Sequence, residues 1–329
     1  MAEQGDRRTG VLLLGYGGPD SLDAVGQFMT NLMGREPSEE LLERVRMRYL
    51  SIGGESPLTG VIASIREQLG DALAAAGYDV PVAIGMRYWH PFIAEGVREL
   101  VDAGVQRIVG ISMSPFEAKI TCGAYREAVQ EVLADFQDVE FVETPSIATL
   151  DEYSELVAAG CMAALERLDD TSGTLVVFTA HSLPESDLVA DDPYVSGLRR
   201  VVDQVCEYLG YDQGTYNVGD PILAGITTYG NLVSSPPWVF AYQSKGQKPG
   251  AWLGPDLDDV IDAAVTGGYN AVVAVPVGFV TDHLETLYDL DIMAADRALS
   301  QGIEFARAPV PNDSEHLIKG LVSLVSPFL

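Results

Sequence analysis

Three observations predict an α/β protein built on doubly wound parallel sheets. Short runs rich in Val, Ile and Leu carry no polar alternation, longer segments of helical period separate them, and the 329 residues, 47% hydrophobic, hold apolar side chains enough for two compact cores. Strands without alternation are buried on both faces, and helices are what cover both faces of a parallel sheet. The succession of strand, helix and strand makes such a sheet the economical fold.

The strand runs are VLLLG at 11–15, VPVAIGM at 80–86, RIVGISM at 107–113, TLVVFTA at 174–180, PILAGI at 221–226 and NAVVAVPVGF at 270–279. Between them, segments 57–76, 91–103, 122–136, 151–168, 194–209, 256–267 and 283–299 place apolar residues three and four apart with charges opposite, as amphipathic helices require. No low-complexity linker interrupts the pattern, and the chain divides near 145–152, around TPSIATLDEY. The expected lobes are 1–148 and 149–329, with a final helix able to pack back on the first lobe. Each half has a strand running into a loop, LLLGYGGP at 12–19 and TAHSLP at 179–184. Ligands of open α/β sheets sit at the carboxyl ends of strands, so these loops are expected to face each other across a cleft.

The balance of 48 Asp plus Glu against 20 Lys plus Arg gives a formal charge of -28, which repels phosphate backbones and anionic membrane surfaces. Nucleic acid is excluded as a partner on this ground. The excess either steers cations toward a cleft or only keeps the surface solvated, and charge alone does not choose. The start MAEQGDRRTG lacks the apolar run of a signal peptide, and no stretch of about 18 uncharged apolar residues occurs elsewhere, so a soluble, cytoplasmic protein without an integral membrane segment is expected. Cys122, Cys161 and Cys206 form no CxxC pair, which signals neither a disulfide framework nor a zinc or iron–sulfur site.

Candidate chemistry sits at strand ends. His181 follows an uninterrupted apolar strand and precedes Ser182, Leu183 and Pro184. An imidazole there is either a core group satisfied by backbone or a group that binds metal or moves a proton near neutral pH. In PVGFVTDHLETLYDLD at 276–291 a helix is expected from about Asp282, which puts Asp282, Glu285 and Asp289 on one face with His283 in the same turn. That acidic face is either solvated, with Asp282 as a helix cap, or a ligand set. GYGGP at 15–19 lacks the spacing of phosphate-cradling loops, which disfavours a nucleotide. Its Tyr16 either packs on its neighbours or meets a planar ligand, and Trp252, in a loop-rich segment at 242–261, reads as structural.

Together, TAHSLP at 179–184, YQSK at 242–245, WLGPDLDDVI at 252–261 and VPVGFVTDHLETLYDLD at 275–291 closely resemble ferrochelatases. GYGGP at 15–19, RYLSIGGESPL at 48–58 and IGMRYWHPF at 84–92 match in the same order, so the resemblance spans almost the whole chain. It implies two similar Rossmann-like (flavodoxin-like) lobes, each with a parallel four-stranded sheet, clamping a porphyrin between them. By the same resemblance His181 takes the place of the active-site histidine and Glu285 that of the opposing carboxylate, with Asp289 extending an acidic route for metal or protons. Tyr16 corresponds to a loop position that faces the metal in some bacterial members, Ser56 to a porphyrin-lining position, and Arg87 and Tyr88 to a strand-end pair near the site.

The implied reaction inserts Fe2+, as substrate, into a free-base porphyrin and releases two protons. Departures from relatives bear on detail. Leu32 and Met33 replace a basic pair and leave an apolar lip against the porphyrin, Phe116 replaces a histidine, and Met293 ends the acidic line. No cysteine-bearing extension follows SPFL, so no iron–sulfur cluster is expected, and a monomer acting on coproporphyrin III to give coproheme is the expectation. Protoporphyrin IX giving protoheme is the alternative substrate. A non-catalytic tetrapyrrole or heme carrier is the rival of another class.

Overall fold

The computed structural model describes residues 7–211, 236–246 and 248–329, so the expected strand at 221–226 lies outside the described residues. In chain order the elements are β1 (Thr9–Gly15), α1 (Val25–Met33), α2 (Glu39–Ser51), α3 (Leu58–Ala75), β2 (Val82–Met86), α4 (Ile93–Asp102), β3 (Arg107–Ser112), α5 (Ala124–Leu133) and β4 (Glu140–Glu143). There follow α6 (Asp151–Leu165), β5 (Thr174–His181), α7 (Pro193–Leu209), β6 (Trp238–Gln243), α8 (Leu257–Thr266), β7 (Ala271–Val275), α9 (Leu284–Leu287), α10 (Ala295–Ser300), β8 (Glu304–Arg307) and α11 (Glu315–Val325).

Two compact units result, one of residues 1–152 with 312–329, the other of 153–311. The second therefore starts a few residues after the expected division at 148, and its end excludes α11, which packs on α3 of the first unit. Ser314 caps α11 by accepting the Leu317 N–H, and Asp313 just before it accepts from Ser64 of α3 at 2.5 Å.

Among the described residues each unit has one four-stranded sheet, ordered β2-β1-β3-β4 and β6-β5-β7-β8, with every pair parallel. The two orders are the same when each unit is numbered from its own first strand. In both, the connection reverses direction between the two central strands, β1 and β3 or β5 and β7, the place where doubly wound sheets bind ligands. The central strands carry the apolar runs read in the sequence. Leu12 and Leu14 face Val97, Leu100 and Val129 in the first unit, while Leu175 and Val177 face Val260, Ile261 and Leu290 in the second, all buried.

The elements that escaped sequence reading have physical reasons in common. β4 (EFVE) and β8 (EFAR) are short edge strands that mix charge with apolar residues, and neither forms a continuous run. α2 is rich in charge and buries Tyr49 alone. β6 is fully buried, but it draws on Trp, Phe and Tyr and ends in the polar string read as loop.

Candidate functional site

In the second unit the site grows from the carboxyl ends of β5 and β7. Val177, Thr179 and His181 share one face of β5, and Val239, Ala241 and Gln243 share that face of β6. The parallel register pairs Thr179 with Ala241 and His181 with Gln243. Along this face the core turns from apolar to polar as the strands end, because Val177, Val239 and Ala241 still contact α8 and the segment after α9 whereas Thr179 and Gln243 begin a hydrogen-bonded layer. His181 lies one pair further out. Its backbone carbonyl accepts the Tyr194 hydroxyl at 2.7 Å, and its buried Nδ1 has no hydrogen-bond partner among the described residues.

Glu285 arrives from the end of β7. Gly278 donates its N–H to the Thr179 carbonyl at 3.2 Å and lies so close to β5 that a Cβ there would be 2.8 Å from the Ala180 Cα. Tyr153, fully buried, donates to the Val277 carbonyl at 2.8 Å, so the loop is tied down on both sides. The Glu285 carboxylate then stands between two imidazoles, with Oε1 3.7 Å from His181 Nε2 and Oε2 3.7 Å from His283 Nε2. Both distances are ion-pair distances and too long for hydrogen bonds. His181 and Glu285 keep 33% and 30% of their side-chain surface exposed, enough for a ligand to reach them. Burial pushes the Glu285 carboxyl up, but the field of His181 and the contact and charge of His283 outweigh it and hold the group below the usual carboxylate value.

The expected helix over 283–299 is broken, which corrects the reading of one continuous acidic face. α9 is a single turn, a π-helical stretch runs from Asp289 to Ala294, and α10 completes the segment. The wide turn shows in the Met293 N–H, which reaches the Tyr288 carbonyl five residues back at 2.9 Å. Asp282 is also not the helix cap. His283 holds that position in extended backbone, with φ -163, and its N–H goes to Thr286 Oγ1 at 3.0 Å. Asp282 instead accepts the Thr286 hydroxyl at 2.9 Å and pairs with Arg307 at 3.0 Å. Arg307 grips Asp291 with a second fork, Nε and Nη2 at 2.6 and 2.9 Å, so one guanidinium ties the two flanks of the Glu285 segment. Asp289 accepts from Ser244 Oγ at 2.6 Å. Ser244 itself has φ 59, a left-handed conformation that turns the chain sharply after β6.

The first unit presents its own strand ends. Tyr16 follows β1, is 40% exposed, and meets the ring of Tyr88 edge-on at 4.7 Å. The loops after β1 and β2 stay zipped, since Arg87 and Tyr88 donate their N–H groups to the carbonyls of Gly15 and Tyr16 at 2.9 Å. The Arg87 guanidinium lies 5.6 Å from the Tyr88 ring centroid and donates to the Ala124 carbonyl. Ser56 is buried beneath Gly18, where a Cβ would meet its hydroxyl at 2.5 Å, so that glycine is needed for the close approach. Leu32 and Met33 end α1 half-buried, and Phe116 is buried.

The structure thus brings His181 and Glu285 together, sets Asp289 in the next turn, and groups Tyr16, Tyr88 and Arg87 at the strand ends of the first unit. Sequence reading placed His283 beside Glu285 but pointed its ring elsewhere, as supporting structure, and gave no role to Gln243, Ser244 or Arg307. The string YQSK was the available signal for the first pair. Arg307 sits in an anonymous edge strand and had none.

Two parallel sheets of one order, each with polar side chains at its strand ends, define a chelatase-like α/β fold. SirB from Bacillus subtilis with Fe3+ matches it at a TM-score of 0.54 and 11% identity over 97% of this chain and 94% of that one. The cobalt complex of SirB from Bacillus subtilis subspecies spizizenii matches at 0.50. The family model Ferrochelatase matches residues 8–328, and the chain belongs to that family. It is similar to ferrochelatases from Herpetosiphon aurantiacus, 32% identical over 97% of this chain and 98% of the relative, and Acidobacterium capsulatum, 33% identical over 97% and 94%. The coproporphyrin III ferrochelatase of Propionibacterium freudenreichii is 30% identical over 96% and 86%. The chain is accordingly a lyase of heme biosynthesis that acts on a porphyrin and a metal ion. Among the described residues no helix is long and apolar enough to cross a membrane, and no cluster of three or more His, Cys, Asp or Glu closes on a metal position.

Proposed function

We propose that this enzyme inserts Fe2+ into coproporphyrin III, giving coproheme and two protons, with His181 as the proton acceptor and Glu285 as the carboxylate that receives the metal. The observation that carries the reading is the 3.7 Å approach of His181 Nε2 to Glu285 Oε1 at the carboxyl ends of the central strands. A base and an anion at that separation act on the same small volume without being locked to each other, so each remains available to a substrate. The held-down pKa keeps Glu285 ionised at neutral pH, ready for a cation, while an imidazole takes up a proton as the pyrrole nitrogens lose theirs. Asp289, in the next turn, extends the acidic path for metal or protons. Tyr16, Ser56, Arg87, Tyr88, Leu32 and Met33 are assigned to porphyrin contact, and Tyr16 also to the metal.

Relatives named coproporphyrin III ferrochelatase, from Propionibacterium freudenreichii and, at 29% identity, Bacillus cereus, support the substrate choice. Relatives named only ferrochelatase make protoporphyrin IX the competing reading. The enzyme acts as a cytoplasmic monomer without an iron–sulfur cluster in this proposal; Cys122, Cys161 and Cys206 are each free and buried. An anaerobic assay compares the two porphyrins and Fe2+ with Co2+ and Zn2+. Coproporphyrin III with Fe2+ is expected to give the highest kcat/KM, and His181→Ala is expected to abolish insertion while porphyrin still binds. A higher kcat/KM with protoporphyrin IX overturns the substrate choice, normal insertion by His181→Ala overturns the mechanism, and binding without any insertion supports the carrier.

A further inference from the structure

We infer that Gln243 is a positioning residue for insertion, its buried side-chain amide setting where Glu285 stands relative to His181; the inference rests on the roles proposed above for those two residues. Gln243 is 3% exposed, an unusual place for a side chain with two donor hydrogens and an acceptor oxygen to satisfy. Each site has a reason. The Nε2 amide donates to the Glu285 carbonyl at 3.0 Å and to Ser244 Oγ at 3.4 Å, and Oε1 accepts the Thr179 hydroxyl at 2.7 Å. A backbone carbonyl only accepts, so the NH2 end must face Glu285 and the carbonyl end must face Thr179, which fixes the amide in one orientation.

The register explains why this residue has that effect. Gln243 is the cross-strand partner of His181, and Thr179 precedes His181 by two residues on the same face of β5. One rigid amide therefore spans from the strand that carries the imidazole to the first turn of the helix that carries the carboxylate. α9 has only four residues before the wide π-helical stretch, so regular helical hydrogen bonding does little to fix its height. The Gln243 amide supplies a fixed point there, and Ser244, next in the chain, holds Asp289 of the same segment. Gln243 itself touches the Glu285 backbone and not its carboxylate, so its effect falls on placement.

The test compares Gln243→Leu and Thr179→Val with wild type, and includes His181→Ala and Glu285→Gln. Gln243→Leu, of similar reach but without donor or acceptor, is expected to lower kcat about 10- to 100-fold, the scale of a displacement of about 1 Å at a reacting pair. The KM and dissociation constant for porphyrin, from which burial shields the amide, stay within about twofold. Thr179→Val frees the other end of the amide, and its effect on kcat combines non-additively with that of Gln243→Leu. Wild-type kcat in Gln243→Leu, with His181→Ala inactive, overturns the inference and leaves the mechanism standing. A loss of porphyrin affinity parallel to the loss of kcat also overturns it, because the residue would then support the fold at large. Normal insertion by both His181→Ala and Glu285→Gln removes the reading on which the inference rests. If Gln243→Leu does not fold, Thr179→Val decides: the amide then loses its anchor on β5, so a kcat loss at unchanged porphyrin KM supports the inference and a wild-type kcat refutes it.

Discussion

Substituting Gly278 by alanine tests how tightly the Glu285 loop must lie on β5. The added Cβ would sit 2.8 Å from both Cα and Cβ of Ala180, where carbon atoms ordinarily rest about 3.5–4.0 Å apart. Ala180 is fully buried in a strand paired on both sides, so β5 does not yield and the loop must move outward by roughly 0.7–1.2 Å. Overpacking of this kind costs about 1–3 kcal/mol. For a unit of this size that lowers Tm by roughly 2–12 °C, at about 2–4 °C per kcal/mol. The displacement also carries Glu285 away from His181, and kcat is expected to fall up to about 100-fold. Thermal unfolding followed by circular dichroism and anaerobic insertion at saturating porphyrin measure the two effects. Gly60→Ala is the control, since nothing lies within 4 Å of its added Cβ inside α3, and it should stabilise by about 0.5–1 kcal/mol. A Gly278→Ala variant with wild-type Tm and kcat would refute the reasoning.

Arg307→Met is expected to destabilise by about 3 kcal/mol in urea unfolding, because the guanidinium side chain is 12% exposed and its ion pairs with Asp282 and Asp291 are lost. Arg307→Lys should recover only part of that, since an ammonium cannot reproduce the two-pronged grip on Asp291. The thiols should resist alkylation at pH 8 in the folded protein and react on unfolding, because burial pushes all three up, Cys161 to about 12. Their folded pKa values exceed the unfolded value of about 8.5, so the stability they contribute is full below that pH and declines as pH rises through it. Urea unfolding at a series of pH values from 7 to 10, compared with a Cys161→Ala variant, measures that decline.

Much of the core was legible because burial on both faces of a parallel strand demands unbroken apolar runs, and β1, β3, β5 and β7 have them. The same logic placed His181 at a strand end, where an apolar run gives way to HSLP. Edge strands β4 and β8 were not legible, since half of each faces away from any core and charge is tolerated there. The acidic face was read with one helical period throughout. The cap at His283 rests on its N–H donating to Thr286 Oγ1, three residues on, whereas the tie from Asp282 to Arg307 joins residues whose meeting no local pattern announces.

The sequence by itself determined the class of fold, through the period of its apolar residues, and pointed, through long ordered strings that resemble one family, to the two groups proposed as proton acceptor and metal-receiving carboxylate. Only the tertiary structure decided that His181 and Glu285 approach to 3.7 Å, that a second imidazole stands on the other side of the carboxylate, and that Gln243 bridges the strand of one to the helix of the other. The reason is one of range. Periodicity and capping record interactions within a few residues, whereas residues 181, 243 and 285 meet because three separate strands of one sheet end side by side, and that register is set by the packing of the whole core.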